Sequence, residues 1–101
     1  MTLIKVCTLD EIREGKNKCV KHNGKEFAVF NIKGKYFCIT NTCTHLGGPL
    51  CEGTLSGKVV TCPWHGAQFD VTNGKVLSGP AGENVASHPV VIEGRFIFID
   101  V

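Results

Sequence analysis

Short β-rich runs separated by glycine-bearing turns leave this 101-residue chain little room for helix. Asn23-Gly24, Lys33-Gly34, Asn73-Gly74 and Glu93-Gly94 are turn signals, because Asn and Gly reach the positive φ that tight hairpins need. The stretches 2–6, 18–21, 27–32, 36–40, 58–61, 68–71, 90–93 and 96–100 are rich in Val, Ile, Phe, Thr and Tyr and are predicted as strands. One stretch, 8–14, looks helical: Thr8 is a candidate cap, with Glu11 three residues on and Gly15 as the stop. The pattern predicts one all-β domain over residues 1–101, a small antiparallel β-sandwich or barrel.

Two segments, 41–56 and 63–67, lack any strand pattern. Long irregular loops in a small domain are usually functional or disordered. These hold Cys, His, Trp and Pro, with only one Glu, one Ser and no Lys, so chemistry is expected there. The rest of the composition narrows the partners. Net charge is only +2, and the Lys residues are spread along the chain, which argues against nucleic acid. No apolar run approaches the roughly 20 residues of a membrane span, and no secretory signal is evident at the N-terminus. The cytoplasm is the expected location. Thiols there stay mostly reduced, so the six Cys are expected as metal ligands or buried thiols rather than a disulfide framework.

The first irregular segment contains Cys43-Thr44-His45 and the second is entered through Cys62-Pro63-Trp64-His65, with sixteen residues between the two groups. Zinc sites of the Cys₂His₂ kind typically use C-x₂₋₄-C and H-x₃₋₅-H pairs. Here each pair is mixed. A two-iron cluster of the Rieske type needs two Cys on one iron and two His on the other, and two loops that each donate one Cys and one His meet that need.

Cys43-Thr-His-Leu-Gly-Gly48 and Cys62-Pro-Trp-His-Gly66, followed by Phe69-Asp70 and Gly79-Pro80-Ala81, resemble the two boxes and flanks of the Rieske iron–sulfur domain. The resemblance implies one [2Fe–2S] cluster, ligated by Cys43, His45, Cys62 and His65 and held between two loops at one end of the sandwich. Two ferric ions, two sulfides and two thiolates sum to zero formal charge, because imidazole is neutral. Such a cluster accepts an electron more readily than a four-Cys one.

Quinol-oxidising relatives carry an extra Cys in each box, where this chain has Gly48 and Trp64, and Ser and Tyr hydroxyls on the cluster sulfurs, where it has Ala67 and Phe69. Losing two hydrogen-bond donors destabilises the reduced state, so a potential near the bottom of the Rieske range is expected. The chain resembles the ferredoxins of bacterial aromatic-ring dioxygenase systems. That likeness implies a one-electron carrier, not an enzyme, between a flavin reductase oxidising NAD(P)H and a terminal oxygenase. An oxygenase would need a 2-His-1-carboxylate iron site, and only His22 and His88 remain. Competing readings are a small subunit of a nitrite reductase-like enzyme and a zinc-stabilised binding module.

Leu46, Pro49 and Trp64 are expected to form an apolar docking tip, with Trp64 either a lid over the cluster or ordinary core packing. Gly47, Gly48 and Gly66 are expected to permit tight turns and backbone approach to the sulfurs, and Pro80 to begin a third loop against the cluster. Cys7, Cys19 and Cys38 are expected as buried apolar residues. For Cys51 a free thiol is favoured over a fifth ligand or a disulfide. His22 and His88 are expected at the surface.

Overall fold

The structure is a computed structural model that describes residues 2–41, 49–64, 66–78 and 83–101. Eleven strands are formed by the described residues: β1 (Leu3–Thr8), β2 (Asn17–His22), β3 (Lys25–Ile32), β4 (Lys35–Thr40), β5 (Thr54–Ser56), β6 (Val59–Thr61), β7 (Gln68–Asp70), β8 (Lys75–Ser78), β9 (Ser87–His88), β10 (Val90–Glu93) and β11 (Phe96–Asp100). They make three antiparallel sheets, ordered β1-β11-β10, β2-β3-β4-β9 and β5-β6-β7-β8.

The sheet centred on β3 and β4 carries a core on each face. Alternation along a strand sends successive side chains to opposite sides, and in β3 both sides are apolar. Ala28 and Phe30 join Ile39, Val60 and Phe69 in a first core against the β5–β8 sheet. Phe27 and Val29 join Cys38, Ile97 and Ile99 in a second core against the β1-β11-β10 sheet. This explains why 27–30 is a continuous apolar run rather than an alternating one. The all-β antiparallel class expected from the sequence is the one observed, with three sheets rather than two.

Eight of the eleven strands fall on predicted runs. β5, β8 and β9 were not predicted, and β5 lies inside the segment 41–56 expected to be irregular. Thr54-Leu-Ser56 is too short and polar to announce itself. It is a strand because the turn at Gly57-Lys58 folds it back on β6, pairing Thr54 with Thr61 and Ser56 with Val59. The helical stretch is only a 3₁₀ turn, Leu9–Glu11. Its capping residues act as expected: the Thr8 backbone N–H donates to the Glu11 carboxylate at 2.8 Å, and the Thr8 hydroxyl donates to Asp10 at 2.6 Å. These bonds hold both carboxyls below their ordinary values.

Candidate metal centre

Of the four expected cluster ligands, Cys62 lies among the described residues. Cys43, His45 and His65 lie outside them, as do Leu46, Gly47, Gly48 and Pro80. What the structure does give is the frame from which both loops spring.

The second box begins where β6 ends. The Cys62 N–H donates to the Ala67 carbonyl at 2.7 Å and the Gly66 N–H to the Cys62 carbonyl at 3.1 Å, closing a tight turn. Gly66 has φ +77°, in the left-handed region that side chains with a Cβ avoid. Cys62 is buried and its thiol is free of any disulfide. Trp64, at the crest of this turn, is 55% exposed, which rules out ordinary core packing. Ala67 and Phe69, which follow the box, are fully buried in the first core beside Cys62.

The first loop leaves β4 at Asn41 and returns at Pro49, where a second 3₁₀ turn, Leu50–Glu52, begins. Asn41 ties the two ends together. Its carbonyl accepts the Leu50 N–H at 2.7 Å, and its side-chain Oδ1 accepts the Cys51 N–H at 2.7 Å. Its own N–H donates to the Glu26 carbonyl at 3.0 Å, and its Nδ2 donates to the Glu26 carboxylate at 3.2 Å. Asn41 is 2% exposed, and its bond to the Cys51 N–H is made away from water. Removing the acceptor leaves the buried Cys51 N–H unpaired, at a cost of about 1–3 kcal/mol. Denaturant unfolding of Asn41→Ala is expected to show that loss, while Glu14→Ala, at an exposed position without a positive φ, should stay within about 0.5 kcal/mol of the parent.

Gly53 brings the two loop bases together. A Cβ there would collide with the carbonyl oxygen of Thr61, the residue before Cys62. Nothing in the sequence marks Gly53 apart from other turn glycines. Neither it nor Asn41 was singled out as a site residue, because their roles depend on contacts between distant segments.

The thiol expectations need two corrections. Cys19 and Cys51 form a disulfide, with Cα atoms 5.3 Å apart. Cys19 is therefore not a buried apolar residue, and Cys51 is not a free thiol. Cys19 pairs in register with Ala28, so it faces the first core's side from the edge strand β2. There the second 3₁₀ turn sets Cys51 against it. A cross-link with a sequence separation of 32 is worth about 3–4 kcal/mol in the chain-entropy picture. Cys7 and Cys38 are buried in the second core, as expected. Burial pushes the Cys38 thiol up to about 12 and also raises that of Cys7, with help from Glu11. His88 is also not simply a surface residue. It is partly buried, with its Nε2 3.1 Å from the Thr40 hydroxyl and its ring edge-on to Phe27 at 5.0 Å. Burial lowers its pKa.

Comparison with known proteins fits this frame. The family model described as the Rieske [2Fe-2S] domain matches residues 2–89. The biphenyl dioxygenase ferredoxin subunit of Pseudomonas sp. (strain KKS102) is 40% identical over 101 residues, covering 99% of this chain and 93% of that one. The ferredoxin of carbazole 1,9a-dioxygenase from Nocardioides aromaticivorans IC177 superposes with a TM-score of 0.92 at 28% identity, covering 98% of this chain and 97% of that one. A chain from a complex of reduced oxygenase and oxidized ferredoxin in carbazole 1,9a-dioxygenase gives a TM-score of 0.93 at 30% identity, covering 96% and 91%. The chain belongs to the Rieske [2Fe–2S] domain family. It is an electron carrier of the ferredoxin kind with one Rieske-type cluster, not itself an oxygenase.

Proposed function

We propose that this chain is the low-potential ferredoxin of a multicomponent oxygenase system. It takes single electrons from a flavin reductase that oxidises NAD(P)H and delivers them to a terminal Rieske oxygenase. Residues 1–101 form one domain, and it works in the cytoplasm. Cys43 and Cys62 bind one iron, and His45 and His65 bind the other. The bound cluster supplies reversible one-electron chemistry.

The observation that carries the ligand assignment is the fate of the six cysteines. Cys19 and Cys51 are joined to each other, and Cys7 and Cys38 are buried in the second core. Cys43 and Cys62 remain, one on each loop. Cys62 is free, buried and turned onto the same frame as the base of the first loop. No helix among the described residues is long and apolar enough to cross a membrane. For docking, the exposed indole of Trp64 suits an apolar contact beside the second box, and Leu46 and Pro49, which the sequence places on the first loop, are the further apolar residues assigned to that contact. Charge then serves for steering.

Ala67 and Phe69 set the potential by what they lack, since neither side chain can donate a hydrogen bond to a cluster sulfur. Voltammetry of the purified, coloured protein at neutral and alkaline pH is expected to give a one-electron wave near −150 mV. Ala67→Ser and Phe69→Tyr should each move it upward. A strongly positive wave in the parent protein would overturn the low-potential assignment. A colourless protein that keeps its metal would point to zinc.

A further inference from the structure

We propose that Cys19 and Cys51 are a second, thiol-based redox couple whose disulfide locks the base of the first cluster loop. This rests on the reading that the loop holds the cluster. The placement of the two residues is asymmetric. Cys19 lies exposed on β2, the edge strand of its sheet. Cys51 is buried on the 3₁₀ turn Leu50–Glu52, six residues beyond His45. An incoming thiolate therefore has access from the Cys19 side. Every other described cysteine is a buried thiol, so among the described residues the response is confined to this pair.

Opening the pair does not dismantle the turn. The Leu50 and Cys51 N–H groups keep their bonds to Asn41, and the Leu50 side chain stays in the first core. What is lost is the covalent tie between β2 and the turn. In a reducing compartment a disulfide of this kind is transient and sensing rather than permanent.

The reaction is thiol–disulfide exchange with a dithiol as reductant. A thiolate of the dithiol attacks Sγ of Cys19 and forms a mixed disulfide. The Sγ–Sγ bond breaks, and Cys51 leaves as a thiolate that takes up a proton. The second thiol of the reductant then attacks its own sulfur in the mixed disulfide, loses its proton and releases Cys19, which is protonated. Two electrons and two protons pass to the pair, and the dithiol becomes a disulfide. This two-electron exchange is separate from the one-electron traffic of the cluster.

The test uses the full-length holoprotein, held without oxygen in glutathione buffers from fully oxidised to fully reduced, with dithiothreitol as the reducing end point. Differential alkylation with peptide mass spectrometry follows Cys19 and Cys51, with Cys7 and Cys38 as unreactive controls. The pair is expected to pass from disulfide to dithiol within the glutathione series. In the dithiol state, amide exchange at residues 50–53 and chelator-driven bleaching should each be about fivefold faster. Cys19→Ser, a change on the exposed side, should show the faster rates in every buffer. A pair that stays oxidised even in dithiothreitol, or never forms in the oxidised buffers, would overturn the proposal. So would equal amide-exchange rates in the two states. A preparation without iron would refute the cluster reading alone, because the thiol titration and the amide exchange still decide whether the pair is a switch.

Discussion

Cys62→Ala is expected to yield a chain with no visible colour and no bound iron, whereas Cys7→Ala and Cys51→Ala keep about two irons per chain, the content of a [2Fe–2S] cluster. All three cysteines are buried, so burial alone does not separate them. Position does. Cys7 lies in the second core, between the sheet carrying β1 and the sheet carrying β3. Cys51 is already joined to Cys19. Cys62 begins the turn closed by Gly66 and Ala67. Iron analysis and visible absorption of the three purified variants make the check. Retained iron in Cys62→Ala would remove that residue from the ligand set. Colour lost in Cys51→Ala would bring back the fifth-ligand alternative. Because a bound metal contributes its binding energy to folding, Cys62→Ala should also unfold at a lower denaturant concentration than Cys7→Ala.

How much of this could be read from the sequence depended on the range of the interactions involved. The strands 90–93 and 96–100 were legible to the residue, since a β-rich run and a glycine turn are both local signals, and β10 and β11 pair directly with each other. The Rieske family was legible because its two boxes are written in residue type and short spacing. β5 was not, for its three residues become a strand only by pairing with β6. The Cys19–Cys51 link was not legible either. Its partners are 32 residues apart, and expecting thiols to stay reduced pointed the other way. Asn41 and Gly53 escaped notice for the same reason. One is an ordinary polar residue and the other an ordinary glycine until Cys51 and Thr61 are placed against them.

Phe30→Ala is expected to destabilise the protein by about 3–5 kcal/mol, the usual cost of emptying a buried aromatic site. Set against a total stability of about 5–15 kcal/mol for a domain, this is a large fraction. Phe30 is fully buried in the first core, among Ile39, Leu50 and Phe69. With a urea slope of about 1–3 kcal/mol/M for a small protein, the midpoint should fall by roughly 2 M at an unchanged slope. The exposed Phe96, which carries Lys5 over its ring at 3.8 Å, should cost far less when truncated, about 1 kcal/mol. Ile97→Ala, fully buried in the second core, should cost about 2–5 kcal/mol and separates stability from function. The first core contains Cys62, Ala67 and Leu50, which form the bases of both loops, whereas the second contains none of them. At matched loss of stability, Phe30→Ala should therefore speed the loss of iron to a chelator, and Ile97→Ala should leave it near the parent rate. Equal acceleration by both would mean that iron release follows global unfolding, not the packing beneath the loops.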